Sequence, residues 1–262
     1  MKPVAMRWKP ANGSTGYDTG SAWYLEPVAG PPRRALLALY PLAEERKGTV
    51  RLMAATGRLL AKEGWATLFF DFFGTGDAPG DFADATWDRW QTDAETAFDL
   101  LRALSGLDRV AVLSARASAP LALSLAKHGG NRLSGLVFWE PVLDTAAWLR
   151  DARRRSHFRL GPARTGLSEN DVDGYVYGGT LWNDMARAPS AGTPAPPPDV
   201  PVAVVALAPS GRPSAETVRL AQRWGARLLT ANQAPFWLES DTVAGEALAE
   251  STRQALDALI SP

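Results

Sequence analysis

Short apolar runs alternate with amphipathic segments along most of this 262-residue chain. Residues 35–40, 110–113 and 136–139 are wholly apolar, which is typical of strands that are buried on both faces. The segments between such runs repeat apolar side chains at helical spacing, as in Trp87–Leu104. Because parallel strands are joined by helical crossovers, this alternation predicts a mostly parallel sheet with helices on both faces.

The start of the chain and one interruption make this prediction more specific. Two extended segments, Pro3–Trp8 and Gly20–Pro27, precede the alternation and predict an antiparallel hairpin. Residues 142–188 then break the alternation, residues 189–198 are proline-rich like a linker, and the alternation resumes at Val202.

This order of elements is that of the α/β-hydrolase fold. We therefore predict a single domain over residues 1–262, with a mostly parallel central sheet, an N-terminal antiparallel hairpin and a small helical cap. The cap and its proline-rich linker correspond to residues 142–200, inserted above the carboxyl ends of the strands.

Composition excludes several classes of function. Lysine plus arginine and aspartate plus glutamate number 28 each, so bulk charge gives no reason to expect a nucleic-acid partner, and the run Arg153–Arg155 is predicted to be a solvated helix face. No segment approaches the ~18 apolar residues of a membrane span. With no cysteine, the chain has no disulfides and no thiolate ligands. We expect a cytoplasmic protein without metal or cofactor.

The residue at the expected nucleophile position is an arginine. In this fold the nucleophile stands on a strained strand-to-helix turn with the pattern G-x-S-x-G. The matching junction is residues 113–118, where small residues flank Arg116. A guanidinium keeps its proton in proteins and offers no nucleophilic lone pair. Ser114 and Ser118 fall at the glycine positions of the pattern, and we expect them to point away from the apex.

The other two positions of a catalytic triad also lack suitable residues. Residues 231–237, where the general base is expected, contain no histidine, and residues 209–213, where the acid is expected, contain no carboxylate. The two histidines of the chain are His128, at a predicted helix C-terminus, and His157, in the predicted cap. The sequence therefore predicts that a Ser-His-Asp triad is absent.

Charged and aromatic residues are instead expected to gather at the carboxyl ends of the strands. Arg116 begins the third helix of the alternation, whose free N–H groups add positive potential. The residues predicted to surround it are Tyr40, Glu44, Glu45, Trp139, Glu140 and Trp237. This set favours two interpretations: a pocket that binds an anionic or zwitterionic ligand, or a salt bridge that only holds loops together.

Four segments resemble a known family. Residues 41–45, 71–77, 80–87 and 235–237 are similar to the exosortase A system-associated hydrolases, and the second type of that group is the nearer match. The group belongs to bacterial exopolysaccharide and protein-sorting gene clusters. The resemblance implies an arginine at the elbow, in a G-x-R-x-G pattern, which makes Arg116 a family feature.

The chain departs from the family pattern at several of these positions. Tyr40 replaces the histidine of a His-Pro pair, Ser114 and Ser118 replace glycines, and Glu140 replaces the glutamine of Trp-Gln-Pro. The loss of that histidine removes a further acid–base group.

Two functional hypotheses follow. In the first, the protein does not act as a serine hydrolase, but binds a small anionic or carbohydrate-related ligand through Arg116, or serves as an interaction module. In the second, it is an exosortase- or exopolysaccharide-associated hydrolase in which Tyr40, Glu44 or Glu45 acts as acid or base and Arg116 as an electrophilic clamp. A protein partner or a homodimer is open in both cases.

Overall fold

An eight-stranded sheet forms the centre of the protein in its computed structural model, which describes residues 1–8, 18–160, 170–187, 194–237 and 245–260. The strands are β1 Lys2–Trp8, β2 Asp18–Leu25, β3 Arg34–Leu39, β4 Trp65–Phe70, β5 Val110–Ala115, β6 Leu133–Trp139, β7 Asp171–Val172, β8 Tyr175–Val176, β9 Val202–Leu207 and β10 Arg227–Ala231. The main sheet has the order β1-β2-β4-β3-β5-β6-β9-β10, and β7 and β8 form a separate hairpin.

The strand directions confirm the predicted mixed sheet. β1 pairs antiparallel with β2, β2 pairs antiparallel with β4, and every further neighbour pairs in parallel. The N-terminal hairpin is therefore confirmed, although its predicted loop at Asn12–Ser14 lies outside the described residues. The carboxyl ends of β3, β5, β6 and β9 meet at one edge of the sheet.

Helices cover both faces of the sheet. They are α1 Glu45–Ala61, α2 Trp87–Ser105, α3 Ala119–Gly129, α4 Thr145–Leu160, α5 Gly179–Ala186, α6 Ala215–Trp224 and α7 Glu246–Ile260. α1 and α7 pack on one face, and α2, α3 and α6 contribute to the core on the other. Within β3, Leu37 and Leu39 face the core on the side of α2, α3 and α6, while Leu36 and Ala38 face the core on the side of α1 and α7. Successive side chains of a strand point to opposite faces of the sheet, which accounts for this alternation.

One helix boundary differs from the prediction in a way that matters for the site. The apolar periodicity predicts that the first helix begins near Thr49, but α1 begins at Glu45. Its first turn, residues 45–48, is polar or glycine and carries no apolar signal. Glu45 consequently belongs to a rigid helix rather than to a loop.

Residues 142–200, which we call the insertion, lie between β6 and β9 and contain α4, β7, β8 and α5. Their assignment as a cap stays a prediction, and residues 189–193 of the predicted linker lie outside the described residues. Trp148, Leu149 and Ala152 of α4 join the core on the α2 side of the sheet. In the described ranges, none of the helices is both long and apolar enough to cross a membrane.

Candidate functional site

The turn after β5 has the sharp backbone of a nucleophile elbow, with Arg116 at its apex. β5 ends at Ala115, Arg116 has a φ of +56°, and a 3-10 turn leads from it into α3. A left-handed backbone costs a non-glycine residue roughly 1–2 kcal/mol, so the surrounding structure must stabilise it. The elbow geometry is therefore retained although its apex is an arginine.

Two more non-glycine residues with left-handed backbones lie at the same edge of the sheet. Ala43 (φ +50°) follows β3, and Glu140 (φ +42°) follows β6. Both strands are direct neighbours of β5. Because strained backbone is concentrated at functional sites, these residues mark this edge as the candidate site.

The two serines beside the apex point into the protein, as their positions predict. Ser114 and Ser118 are both 0% exposed, and their Oγ atoms lie 2.9 Å apart. Ser118 also donates to the carbonyl of Ala115 at 2.9 Å. These hydroxyls therefore brace the junction between β5 and α3 and do not face the edge of the sheet.

The Arg116 guanidinium is held by a carboxylate and an indole ring. Its Nε lies 3.2 Å from Glu45 Oε2 and its Nη2 lies 3.4 Å from Glu45 Oε1. Its Cζ lies 3.8 Å from the centre of the Trp237 ring, which is close enough for a cation–π interaction. The side chains of Arg116 and Glu45 are only 13% and 4% exposed, so little water screens the pair.

Glu45 also binds two residues of the insertion. The Trp148 indole N–H donates to Glu45 Oε1 at 2.8 Å, and Arg155 Nη2 lies 3.6 Å from the same oxygen. Trp148 and Arg155 are seven residues apart on α4, which places them on one helix face. One carboxylate therefore joins the elbow, α1 and the insertion, and no sequence motif predicts its two partners in α4.

Glu44 and Tyr40 contact residues other than Arg116. Glu44 forms an ion pair with Lys47 at 2.6 Å. Tyr40 is 7% exposed and lies under the Arg46 guanidinium, 5.1 Å from ring centre to Cζ. Burial, followed by the nearby charge of Asp71, raises the pKa of the Tyr40 phenol above its ordinary value, so the hydroxyl keeps its proton at neutral pH.

Glu140 lies beside Arg116, but its carboxylate binds other residues. Its Oε1 accepts from the Leu207 N–H at 2.7 Å, and its Oε2 accepts from the Thr217 hydroxyl at 3.0 Å. The Glu140 carbonyl, rather than its side chain, accepts from Arg116 at 3.5 Å. Trp139 is fully buried and donates to Thr252 at 2.9 Å, which places it in the core and not in the wall of a pocket.

An open cleft of about 470 Å³ lies beside Arg116, between α4, α6 and the segment that ends at Trp237. Its charged lining residues are Arg116, Arg155, Glu140, Asp144, Asp151 and Glu216. The lining contains two arginines and four carboxylates, so it is net acidic. Both arginines contact Glu45. Trp148 and Trp237 contribute aromatic surface to the same walls.

The two histidines lie away from this cleft. His128 is near the C-terminus of α3, with its ring nitrogens 3.7 Å from Glu95 and from Asp99. Because α3 rises ~1.5 Å per residue, about 15 Å separate His128 from the elbow. His157 is exposed on α4. Among the described residues, no three His, Asp or Glu side chains are grouped as metal ligands.

The sheet order, the crossover helices and the elbow together define the α/β-hydrolase fold, and solved structures support this. The structure of Est1E from Butyrivibrio proteoclasticus with bound ferulic acid has a TM-score of 0.68 and 16% identity, covering 99% of this chain and 100% of that one. A malate-bound thermophilic esterase from Thermogutta terrifontis has a TM-score of 0.64 and 15% identity, covering both chains fully.

A soluble variant of monoglyceride lipase from Saccharomyces cerevisiae, in complex with a substrate analogue, is similar over 100% of this chain and 97% of its own, with a TM-score of 0.63 and 12% identity. At these identities the likeness is one of fold alone. No family model matches the chain, and no curated protein matches its sequence.

Proposed function

We propose that this protein binds a small carbohydrate-related ligand in the cleft beside Arg116 and does not carry out serine-hydrolase chemistry. The observation that carries the proposal is the Arg116 guanidinium itself, which stands at the apex of the elbow between Glu45 and Trp237. It fills the position from which a nucleophile would have to act, and it offers donors for hydrogen bonds instead.

The nearby hydroxyls support the non-catalytic part of the proposal. Ser114 and Ser118 are buried and hydrogen-bonded to each other, so neither reaches a substrate carbonyl at the edge of the sheet. The Glu45 carboxylate already accepts from Arg116 and Trp148, which leaves it poorly placed to take a proton from water.

The lining of the cleft supports a neutral, hydroxyl-rich ligand over a simple anion. Asp144, Asp151 and Glu216 supply acceptors that would repel an anion but can bind sugar hydroxyls, while Arg155 supplies donors. Trp237 supplies aromatic surface on which an apolar sugar face can pack. A volume of about 470 Å³ lies within the usual range of small-molecule sites.

The resemblance to exosortase A system-associated hydrolases points in the same direction, because that group belongs to exopolysaccharide gene clusters. We extend the proposal accordingly to the neutral sugars of an exopolysaccharide, with hydroxyl groups bound next to Arg116 and Arg155.

Thermal unfolding with a panel of neutral sugars, hexuronic acids and inorganic phosphate tests the binding. A ligand at a hundred times its Kd stabilises a protein by ~2.7 kcal/mol, so we expect a rise in Tm of about 5 °C or more with at least one sugar. Arg116→Ala should lower this response by about half or more, through a roughly tenfold or greater loss of affinity. Arg219→Ala, which replaces an exposed arginine of α6 outside the cleft lining, should keep the full response. An undiminished response in Arg116→Ala contradicts the site.

Labelling with a fluorophosphonate probe tests the proposed absence of serine-hydrolase chemistry. We expect no labelled serine, whereas labelling would show an activated hydroxyl and overturn the proposal. The alternative hydrolase makes a different prediction for aryl ester turnover: Arg116→Ala would abolish it, and Ser118→Ala would not. That pattern would replace the binding function by a catalytic one.

A further inference from the structure

The outward face of α4 carries a basic stripe. Arg150, Arg154, His157 and Phe158 are all exposed, at spacings of three and four residues that place them on one side of the helix. Asp151 is the single acidic residue among them, and Arg153 and Arg155 flank the stripe while being partly buried. We call Arg150, Arg154, His157 and Phe158 the basic stripe.

Phe158 makes this face unusual for a solvated helix. Its side chain is 85% exposed, the highest value among the exposed large hydrophobic residues of the described chain. Arginine and phenylalanine together are enriched in the centres of protein interfaces. The opposite face of α4 is occupied, because Trp148 and Leu149 are buried in the core. The basic stripe is therefore the face of α4 that a partner can reach.

The same chain also carries an acidic surface. Asp77, Asp81, Asp84 and Asp88 are all exposed and lie within twelve consecutive residues, which we call the acidic segment. Arg89, the next basic residue, is buried and paired with Asp93 at 3.0 Å. The acidic segment is thus a concentrated negative surface with four carboxylates in solvent.

The two surfaces lie on neighbouring elements. Phe82, in the middle of the acidic segment, packs on Tyr177 with ring centres 4.9 Å apart. Tyr177 packs on Trp182 of α5 at 6.0 Å, and Arg153 of α4 lies over Trp182 at 5.7 Å. A continuous set of side-chain contacts therefore connects the acidic segment with α4, the helix that carries the basic stripe.

We infer that a second copy of this chain docks here, with the basic stripe of each copy against the acidic segment of the other. A two-fold dimer makes each such contact twice, because the same patch is used by both partners. The net charge of zero means that no long-range repulsion opposes association of two copies.

Other partners fit these surfaces less well. A polyanion such as a nucleic acid, or an anionic membrane, would be attracted by the stripe but repelled by the four aspartates nearby. Membrane insertion would also have to rely on Phe158, because the apolar face of α4 is already buried. Only a partner that carries both charges satisfies both surfaces.

Sedimentation velocity of the full chain tests the dimer. We expect dimers over micromolar concentrations, with a dissociation constant that rises about tenfold as the ionic strength is raised from about 0.05 to 0.5 M. Reversal of the stripe, Arg150→Glu with Arg154→Glu, should weaken the dimer at least about tenfold, and so should reversal of the segment, Asp81→Lys with Asp84→Lys. Arg51→Glu with Arg58→Glu makes the same charge change on exposed residues of α1 and should leave the dimer intact.

Mixing the two reversed variants provides the decisive result. In a two-fold heterodimer the glutamates of one variant face the lysines of the other, while the native stripe and the native segment face each other at the second contact. Affinity should therefore return to near the wild-type value, which also shows that both variants are folded. A wild-type protein that stays monomeric, a dimer that tolerates either reversal, a mixture that fails to associate, or a monomer that binds phosphatidylserine vesicles would each overturn the inference.

Discussion

Replacement of Glu45 by glutamine is expected to lower the free energy of unfolding by about 3 kcal/mol, because loss of one partner from a buried ion pair leaves the other charge uncompensated. Arg116 is the charge in question: its side chain is 13% exposed and its Nε lies 3.2 Å from the carboxylate. Glutamine keeps the shape of glutamate and one acceptor for Trp148, so the effect reports the charge rather than packing. Equilibrium unfolding in urea measures it.

A double-mutant cycle shows whether the pair is the cause. Arg116→Met removes the stranded cation, so the double variant should be more stable than Glu45→Gln alone. Asp108→Asn is a suitable control, because its ion pair with Arg102 is long, at 3.7 Å, and the Asp108 side chain is fully exposed. We expect no measurable change in the free energy of unfolding. A loss of less than about 1 kcal/mol for Glu45→Gln would mean that water screens the site more than its burial indicates.

A methyl group at Gly48 is expected to cost about 2 kcal/mol and to displace the ring of Trp237. A Cβ at this position of α1 would collide with the carbonyl oxygen of Phe236, and a backbone atom cannot move aside as a flexible side chain can. Helix α1 and the segment that ends at Trp237 must therefore separate in Gly48→Ala. Since Glu45 is on the first turn of the same helix, the stack of Trp237 on Arg116 should loosen as well.

Urea unfolding and the indole N–H resonance of Trp237, assigned with Trp237→Phe, measure the two effects. Gly179→Ala is the matched control: Gly179 lies in α5 with open space around its Cα, and alanine is the better helix former. It should leave stability unchanged or raise it slightly. If Gly48→Ala behaves like Gly179→Ala, the close approach of α1 to Phe236 does not hold Trp237 in position.

The strands were predictable because their signal is local. Each buried strand is a short apolar run, and the pairing of the N-terminal hairpin follows from two extended segments at the start of the chain. The start of α1 was missed for the opposite reason, since residues 45–48 are polar or glycine and carry no apolar period. Apolar periodicity identifies the helical residues that are buried in the core. It cannot identify a first helical turn whose polar side chains contact a functional site.

The site was partly predictable because parallel strands bring their carboxyl ends together. This rule places Arg116, Glu45 and Trp237 near one another, and the structure has all three in contact. The rule does not give side-chain direction, so it could not show that the Glu140 carboxylate turns to Leu207. Nor could it identify Trp148 and Arg155, because their contact with Glu45 depends on how the insertion packs on the sheet.

The left-handed backbones of Ala43, Arg116 and Glu140 have a consequence for protein engineering. They lie at the carboxyl ends of three neighbouring strands, so the sharp turn of a nucleophile elbow is preformed in this chain. A designer who introduces serine at position 116 starts with the turn already built, and has to supply a base, an acid and a replacement for the charge that now balances Glu45. The difficult part of an active site to design, its backbone, is the part this protein already has.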